Sequence, residues 1–151
     1  MALRLRFFEQ DDAEGILRLY KAAGDWFEEV EVSRDFIIAS SERPDFRFIV
    51  AEDGGRLVGF IGALYYDAVG RAEIGPVGVD EEARGEGVGG LLVDRIILFL
   101  REKGVRRAHV KVKSDNNRAQ SFFLSKGFSY EAVLRGYTIS GDDVVQMVAY
   151  I

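Results

Sequence analysis

The 151-residue sequence predicts an α/β (mixed α+β) fold, with a mixed, mostly antiparallel sheet of about seven strands and helices on both faces. Two observations support this prediction. Seven segments have the alternation or composition typical of strands, and several follow one another with only a short turn between them, as antiparallel strands do. One apolar segment with helical period separates the fourth strand from the fifth, which makes that pair a parallel, right-handed crossover.

The chain begins with one strand and two helices. Residues 3–7 alternate between apolar side chains and arginine, which predicts a strand. Asp11 or Asp12 is the predicted cap of a first helix that ends at Gly24. A second helix is predicted over residues 33–41, with its first residue, a serine, as the N-cap.

A run of three strands follows. Residues 46–52 and 56–66 form a predicted hairpin around the turn Asp53-Gly54-Gly55. Residues 71–79 continue the meander, but Gly75-Pro76 interrupts them. Because proline cannot donate a ladder hydrogen bond, the sheet is expected to bulge or open near this point.

The second half of the chain alternates helices and strands. Residues 88–103 form the predicted long helix, with apolar side chains at spacings of three and four. A strand over 107–113 and a short helix over 117–126 come next. Residues 130–139 and 144–151 are predicted to close the sheet as a final hairpin.

Composition limits the classes of function. With 48% hydrophobic and 30% charged residues, the sequence is typical of one soluble globular domain spanning 1–151. A net charge of −5 without a basic cluster argues against nucleic acid and suits a cationic partner such as an amine. There is no cysteine, no apolar run of the roughly 20 residues that span a bilayer, and no signal-peptide core, so a cytoplasmic protein without a metal site or a membrane partner is expected.

The most informative segment is the glycine-rich stretch from Arg84 to Gly90, which enters the long helix directly. The first N–H groups of a helix have no partner within the helix, and the helix dipole places partial positive charge there. Glycines allow a phosphate to approach these N–H groups, and Arg84 adds a planar cationic donor. The segment therefore predicts a pyrophosphate-binding loop.

Two kinds of phosphate loop compete for this interpretation. Gly85-x-Gly87-x-x-Gly90 fits the dinucleotide fingerprint, which would indicate a nicotinamide-dependent oxidoreductase. That fingerprint begins directly after a strand, whereas four residues separate Val79 from Arg84, and no clear acidic ribose ligand follows. A P-loop is excluded because no glycine precedes Lys-Ser or Lys-Thr.

The other interpretation depends on two motifs in a fixed order. An Arg-x-x-Gly-x-Gly loop follows a Val-x-Val strand end, and an Asn-x-x-Ala segment that ends in Gly-Phe comes one helix and one strand later. The motif residues are Val77, Val79, Arg84, Gly87, Gly89, Asn116, Ala119, Gly127 and Phe128. Over residues 72–130, the pair resembles the acyl-CoA-binding segment of the GNAT superfamily of N-acetyltransferases.

The resemblance implies a GNAT-like sheet splayed between the fourth and fifth strands, with acetyl-CoA as co-substrate. It also implies acetyl transfer to a primary amine, on a small molecule or a peptide, by direct attack in a ternary complex. The acceptor pocket would come from residues 25–43, 65–71 and 130–142, and homodimers are common in such folds. The implied cofactor-contact residues, with the Glu86 side chain turned to solvent, are Val77, Gly78, Val79, Arg84, Gly85, Glu86, Gly87, Val88, Gly89, Gly90, Asn116, Ala119, Phe122 and Phe123.

Acidic residues supply the candidate base. Members of this family often use a carboxylate on the strand before the loop, or a water held by it, and Glu73 is the only acidic residue within that strand. The alternative is that Glu73 is an ordinary solvated strand carboxylate. Glu28, Glu29 and Glu31 face a similar choice between lining the entry of a cationic amine and forming a solvated helix end.

A proton donor for the leaving thiolate is harder to assign. The family usually has tyrosine at the position of Phe123, and phenylalanine has no proton to give. Either solvent replaces it, or Tyr65, Tyr130 or Tyr137 does. The departure also leaves open a non-catalytic acyl-CoA-binding sensor or partner domain. His109, the only histidine, is predicted to be structural.

Overall fold

The computed structural model describes residues 2–23 and 32–151. Its helices are α1 (Ala13–Ala23), α2 (Arg34–Ser41), α3 (Val88–Glu102) and α4 (Asn117–Ser125). Its strands are β1 (Leu3–Phe7), β2 (Phe46–Asp53), β3 (Arg56–Tyr66), β4 (Arg71–Val79), β5 (Arg107–Lys113), β6 (Ser129–Leu134) and β7 (Val144–Tyr150). The predicted helix end at Gly24 and the acidic residues Glu28, Glu29 and Glu31 lie outside the described residues. Within the described ranges, no helix combines the length and apolar character needed to cross a membrane.

The seven strands form one sheet in the order β1-β2-β3-β4-β5-β7-β6. All neighbouring strands are antiparallel except β4 and β5, which run parallel and are connected through α3. The mixed, mostly antiparallel sheet with a single crossover confirms the predicted fold class. The crossover places the N-terminus of α3 at the carboxyl end of β4, where an α/β sheet commonly binds a ligand.

Apolar side chains pack on both faces of the sheet, as predicted. On one face, Leu92 and Ile96 of α3 and Phe123 of α4 join a core built on β3, β4, β5 and β7. On the other face, Ile16 of α1 and Ile37 of α2 pack against β2 and β3. Each such buried side chain contributes about 1.5–3 kcal/mol relative to its exposed state. The two cores therefore cover opposite faces of the sheet at β2 and β3.

The predicted strand over residues 130–139 is wrong in its second half, because β6 ends at Leu134. The next residues satisfy their hydrogen bonds within a local loop instead. The Gly136 N–H donates to the Asp143 carboxylate at 2.9 Å, and the Tyr137 N–H donates to the Asp142 carbonyl at 2.9 Å. Gly136, with φ of 57°, takes the left-handed conformation that a strand does not allow. The final strands therefore pair through a longer connection than the sequence indicated.

Candidate active site

The sheet opens between β4 and β5, as the resemblance implied. The two strands pair only from Arg71↔Arg107 to Glu73↔His109, and the rest of β4, residues 74–79, diverges from β5. Unpaired N–H and C=O groups of a strand favour an extended partner that completes the ladder. The gap therefore suits the amide-bearing arm of an acyl-CoA.

The divergence begins at a bulge opposite Gly62. The register between β3 and β4 shifts between Ile61 and Ala63, next to Gly75-Pro76. A Cβ at Gly62 would lie 2.6 Å from the Phe46 ring and 3.0 Å from the Gly75 carbonyl oxygen. Only glycine allows both groups to approach β3 this closely. This close packing holds β4 in the position that opens the sheet.

The glycine-rich loop lies at the far end of the gap. A short 3-10 turn, Glu81–Ala83, leads from β4 into the loop, and Asp80 caps it by accepting the Glu82 N–H at 3.2 Å. Gly85 and Gly87 have φ of 83° and 81°, and Gly87 is the N-cap of α3. A left-handed N-cap without a capping side chain leaves the first N–H groups of α3 directed towards any ligand at this end.

Helix α4 forms the opposite wall of the loop. The Asn116 side chain caps α4 by accepting the Ala119 N–H at 3.1 Å. A Cβ at Gly89 would lie 3.5 Å from the Phe122 ring, so the two helices meet at ordinary contact distance. The Lys126 ammonium, 2.6 Å from the Asp94 carboxylate, ties α4 to α3. These contacts fix the width of the site.

A cavity of about 930 Å³ connects the loop, the gap and the space beneath α1 and α2. Thirteen of the fourteen predicted contact residues line it, and Glu86 does not. Glu86 is exposed and borders a smaller, separate cavity of about 360 Å³ with Asp53, Arg56 and Asp80. Residues 65–71 and 130–142, expected in the acceptor pocket, contribute no residue to the described lining.

The third expected range, 25–43, does contribute to the lining, and further acceptor-side residues come from α1, β2 and β3. Together they are Ile16 and Tyr20 of α1, Phe36, Ile37 and Ser40 of α2, Phe46 and Phe48 of β2, and Leu64 of β3, with Val32 and Arg43 beside α2. The residues of α1, β2 and β3 lie outside the ranges expected for the acceptor pocket, because their largely apolar character matches that of core positions.

Glu73 lies at the fork itself, as the last β4 residue paired with β5. One carboxylate oxygen is 3.6 Å from His109 Nε2, and the other is 3.2 Å from Lys111 Nζ. The contact with His109, together with the charge of Lys111, outweighs burial and holds the pKa of Glu73 below its ordinary value. Glu73 is therefore an ionised carboxylate at neutral pH rather than a freely solvated one.

Lys111 was not identified from the sequence, and His109 was predicted to be structural. Both are on β5, and their side chains lie on the face of the sheet where they contact Glu73 of β4. The parallel register pairs His109 directly with Glu73. Burial lowers the pKa of Lys111, but its hydrogen bond to Tyr137 and the charge of Glu73 raise it above the ordinary value overall. The alternation of basic residues along β5 indicated that these side chains share one face of the strand. Their contact with Glu73 follows only from the strand register.

Phe123 packs among aromatic rings, and the hydroxyls of Tyr65 and Tyr130 bond to partners outside this cluster. Phe123 is buried against the rings of Phe122 and Phe128, with centroid distances of 5.1 and 5.3 Å. The Tyr65 hydroxyl donates to the Pro44 carbonyl at 3.2 Å, and the Tyr130 hydroxyl donates to the Gln120 side chain at 2.9 Å.

Tyr137 contacts the charged cluster through Lys111. Its ring centroid is 5.3 Å from Lys111 Nζ, and its hydroxyl is a hydrogen-bond partner of that lysine. Lys111 lines the cavity, so this contact connects the loop after β6 with the fork. Tyr137 therefore contacts the Glu73 cluster through Lys111, whereas the Tyr65 and Tyr130 hydroxyls bond to Pro44 and Gln120.

Comparison with known proteins agrees with this geometry. The model of the acetyltransferase (GNAT) family matches residues 13–128. The mycothiol acetyltransferase of Propionibacterium freudenreichii is 31% identical over 142 residues, which are 89% of this chain and 46% of that protein. The N-alpha-acetyltransferase RimI of Mycobacterium tuberculosis is 31% identical over 110 residues, 69% of this chain and 66% of that protein. This chain spans about half the length, or less, of the mycothiol acetyltransferases it matches.

A solved structure shows the same fold. The structure of yncA from Salmonella typhimurium, a putative acetyltransferase with its cofactor acetyl-CoA, superimposes with a TM-score of 0.86 at 21% identity, covering 99% of this chain and 94% of that one. The family match, which covers most of the chain, together with the splayed sheet and the glycine loop, shows that this chain belongs to the GNAT family of acetyltransferases, whose members use acetyl-CoA.

Proposed function

We propose that this protein is an acetyl-CoA-dependent N-acetyltransferase that acetylates a primary amine by direct attack in a ternary complex. The observation that most supports the proposal is the position of Glu73. Its carboxylate lies where β4 and β5 part, in the cavity that also contains the glycine loop. An anion at this point can bind an ammonium group next to a thioester held in the gap.

The residues present fit an acyl-CoA. Arg84 and the first N–H groups of α3 are suited to a pyrophosphate, and the unpaired backbone of Val77 and Val79 is suited to the pantetheine amides. Asn116 and Ala119 line the same channel from α4. When bound, acetyl-CoA supplies the acetyl thioester, whose carbonyl carbon forms the new bond to the amine nitrogen.

Glu73 would bind the ammonium form of the acceptor and receive its proton, directly or through a water. A primary ammonium has a pKa of about 10.4, far above that of a carboxyl group, so Glu73 alone is a weak base. Its negative charge nevertheless keeps the acceptor nitrogen at the fork while the proton leaves. In balance, the ammonium nitrogen loses two protons and gains a bond to carbon while the C–S bond breaks. One proton leaves by way of Glu73 to solvent before the attack, and the other passes to the leaving thiolate.

Tyr137 and Lys111 are the proposed source of stabilisation for that thiolate. Phe123 has no ionisable proton, whereas Lys111 offers a cation in the cavity and Tyr137 a hydroxyl hydrogen-bonded to it. A thiol has a pKa of about 8.5, so a nearby cation favours its ionised form and eases departure. In this assignment the Glu73 cluster acts both on the acceptor amine and on the leaving thiolate.

A non-catalytic acyl-CoA-binding domain is the second candidate. The observation that favours it is Phe123, which is only 7% exposed and lies in an aromatic cluster at the position of the usual acid. Such a domain would bind acetyl-CoA but release no free thiol with any amine. The relatives named above are acetyltransferases by name, which favours the enzyme.

Thiol release from acetyl-CoA across a panel of primary amines tests the proposal. Glu73→Gln keeps the size of the side chain and removes its charge, so kcat is expected to fall by roughly 10²-fold or more. Glu131→Gln is a matched control, because Glu131 pairs with Arg107 on the same face and does not line the cavity. A loss of less than threefold for Glu73→Gln would exclude Glu73 from the reaction.

A further inference from the structure

The acceptor side of the cavity is lined mainly by aromatic and aliphatic side chains, which indicates the kind of amine that binds there. We define the acceptor chamber as the part of the lining formed by Tyr20, Phe36, Phe46, Phe48 and Leu64. We propose that the preferred acceptor is a primary amine with a bulky apolar group, aromatic or branched aliphatic, which packs in this chamber while the nitrogen lies at Glu73. This inference depends on the proposed function and specifies its substrate class.

Phe36 is the clearest sign of an apolar ligand. It lies on α2 and lines the cavity, yet 44% of its surface is exposed, and it belongs to neither core cluster. An aromatic ring on a cavity wall offers apolar area that a ligand can remove from water, at about 25 cal/mol per Å². Phe46, held over Gly62, presents a second ring in the same chamber.

Ser40 and Arg43, two polar residues that line the cavity beside the acceptor chamber, are already paired. The Ser40 hydroxyl donates to the Phe36 carbonyl at 2.9 Å. The Arg43 guanidinium makes two contacts of 2.9 Å with the Asp45 carboxylate. A polar substituent would have to compete with these bonds, since displacing a satisfied hydrogen bond gains little.

Charge at the fork favours one cation over two. Among the described residues of the lining, Glu73 supplies the one carboxylate for the acceptor ammonium, and Lys111 Nζ lies 3.2 Å from that carboxylate. A second ammonium close to the first would meet the Lys111 cation, and like charges at short range repel. The chamber therefore suits an amine whose remaining atoms are apolar rather than a short diamine.

Two sources of such an amine share this chemistry: a free small molecule and the N-terminal residue of a peptide. Thiol release distinguishes the sources when phenethylamine and 3-methylbutylamine are compared with the N-terminal tripeptide amides Phe-Gly-Gly and Leu-Gly-Gly. Ethanolamine, 1,5-diaminopentane and Ser-Gly-Gly amide are the polar members of the panel. The apolar amines are expected to have kcat/KM values at least about tenfold above those of their polar counterparts. One or more additional apolar groups bound in a pocket give discrimination of at least this size.

Phe36→Ala tests the chamber itself. Because Phe36 is half exposed and outside the core clusters, the variant is expected to fold with an unchanged Tm. Its KM for the best apolar amine should rise at least about fivefold, and its preference for that amine over ethanolamine, measured as the ratio of the two kcat/KM values, should fall. Leu98→Ala is the matched control, since Leu98 is 49% exposed on α3 and does not line the cavity.

The outcomes separate the two proposals. Equal or better turnover of ethanolamine or 1,5-diaminopentane would overturn the apolar acceptor and leave the transferase intact. An unchanged KM in Phe36→Ala with all apolar amines would overturn the chamber in the same way. If acetyl-CoA raises the Tm but no amine of either kind releases thiol, the transferase itself is wrong, and the inference fails with it.

Discussion

The carboxylate of Glu73 has properties that its neighbours determine. In isolation a strand glutamate would be solvated and would titrate near its ordinary value. Here the contact with His109 and the charge of Lys111 hold the pKa of Glu73 below that value. Both effects favour the charged form, so the same two residues that weaken Glu73 as a base keep it anionic for binding a cation.

This coupling predicts a pH shift in Lys111→Met, which keeps much of the side-chain volume and removes the charge. Losing the cation disfavours ionised Glu73, so the pKa of Glu73 should rise towards its ordinary value. The acid limb of the kcat profile, where Glu73 takes up a proton and activity falls, should therefore move to higher pH. Profiles of kcat from pH 4 to 8 measure this.

Lys113→Met is the matched control for that experiment. Lys113 lies two residues further along β5 and also lines the cavity, but the charges that lower the pKa of Glu73 are those of His109 and Lys111. Its acid limb should coincide with that of the unmodified protein. A coincident limb in Lys111→Met as well would show that Glu73 does not govern the acid side of the profile.

At the scale of elements, an ion-pair cluster connects β1 to the start of α1. Asp12 is 8% exposed and accepts hydrogen bonds from Arg6 at 2.7 and 2.9 Å and from the Glu9 N–H at 2.7 Å. Burial alone would raise the pKa of Asp12, but these hydrogen bonds outweigh it and the net pKa lies below the ordinary value. Glu52 of β2 completes the cluster at 3.2 Å from Arg6.

Asp12→Asn should therefore lower the free energy of unfolding at pH 7 by about 2 kcal/mol, the value of hydrogen bonds to a charged group. Because the folded-state pKa of Asp12 is depressed, its stabilisation is present above the unfolded value of about 3.9 and is lost as the pH falls through the folded value. The difference between the two proteins should shrink at pH 3. Urea unfolding at both pH values measures it.

An exposed pair provides the comparison. Asp45→Asn removes the partner of Arg43 at the surface, where an ion pair contributes little to stability. Its unfolding free energy should stay close to that of the unmodified protein at both pH values. A deficit in Asp12→Asn that persists unchanged at pH 3 would mean that packing around residue 12, rather than its charge, is what matters.

Elements also show what the sequence could predict and what it could not. The bounds of α2 and its Ser33 cap, the parallel β4–β5 pair and the glycine loop all follow from local patterns, since periodicity and capping act within a few residues. The end of β6 at Leu134 depends on hydrogen bonds to Asp142 and Asp143, which no periodicity reveals. Pairing of Glu73 with His109 depends on strand register, which is a property of the assembled sheet.

For the whole molecule, the gap in the sheet and the loop at its end belong to one continuous cavity. The cavity crosses the sheet from the N-terminus of α3 to the space beneath α2, so a ligand in it contacts elements on both faces. Binding to the folded state alone raises the free energy of unfolding by RT ln(1 + [L]/Kd). The melting temperature of the whole domain therefore reports which ligand the site accepts.

Acetyl-CoA or free CoA at about 100 times its Kd should stabilise the fold by about 2.7 kcal/mol, which is several degrees in Tm for a domain of this size. NAD should give no shift, because a short 3-10 turn, Glu81–Ala83, stands between β4 and the glycine loop where a dinucleotide site has none. Arg84→Glu should abolish the CoA shift by replacing a cation with an anion beside the pyrophosphate. Arg95→Glu, the same charge change at an exposed position of α3 away from the cavity, should keep it. Stabilisation by NAD alone would instead favour the dinucleotide fingerprint of Gly85, Gly87 and Gly90, and a full CoA shift in Arg84→Glu would place the pyrophosphate elsewhere.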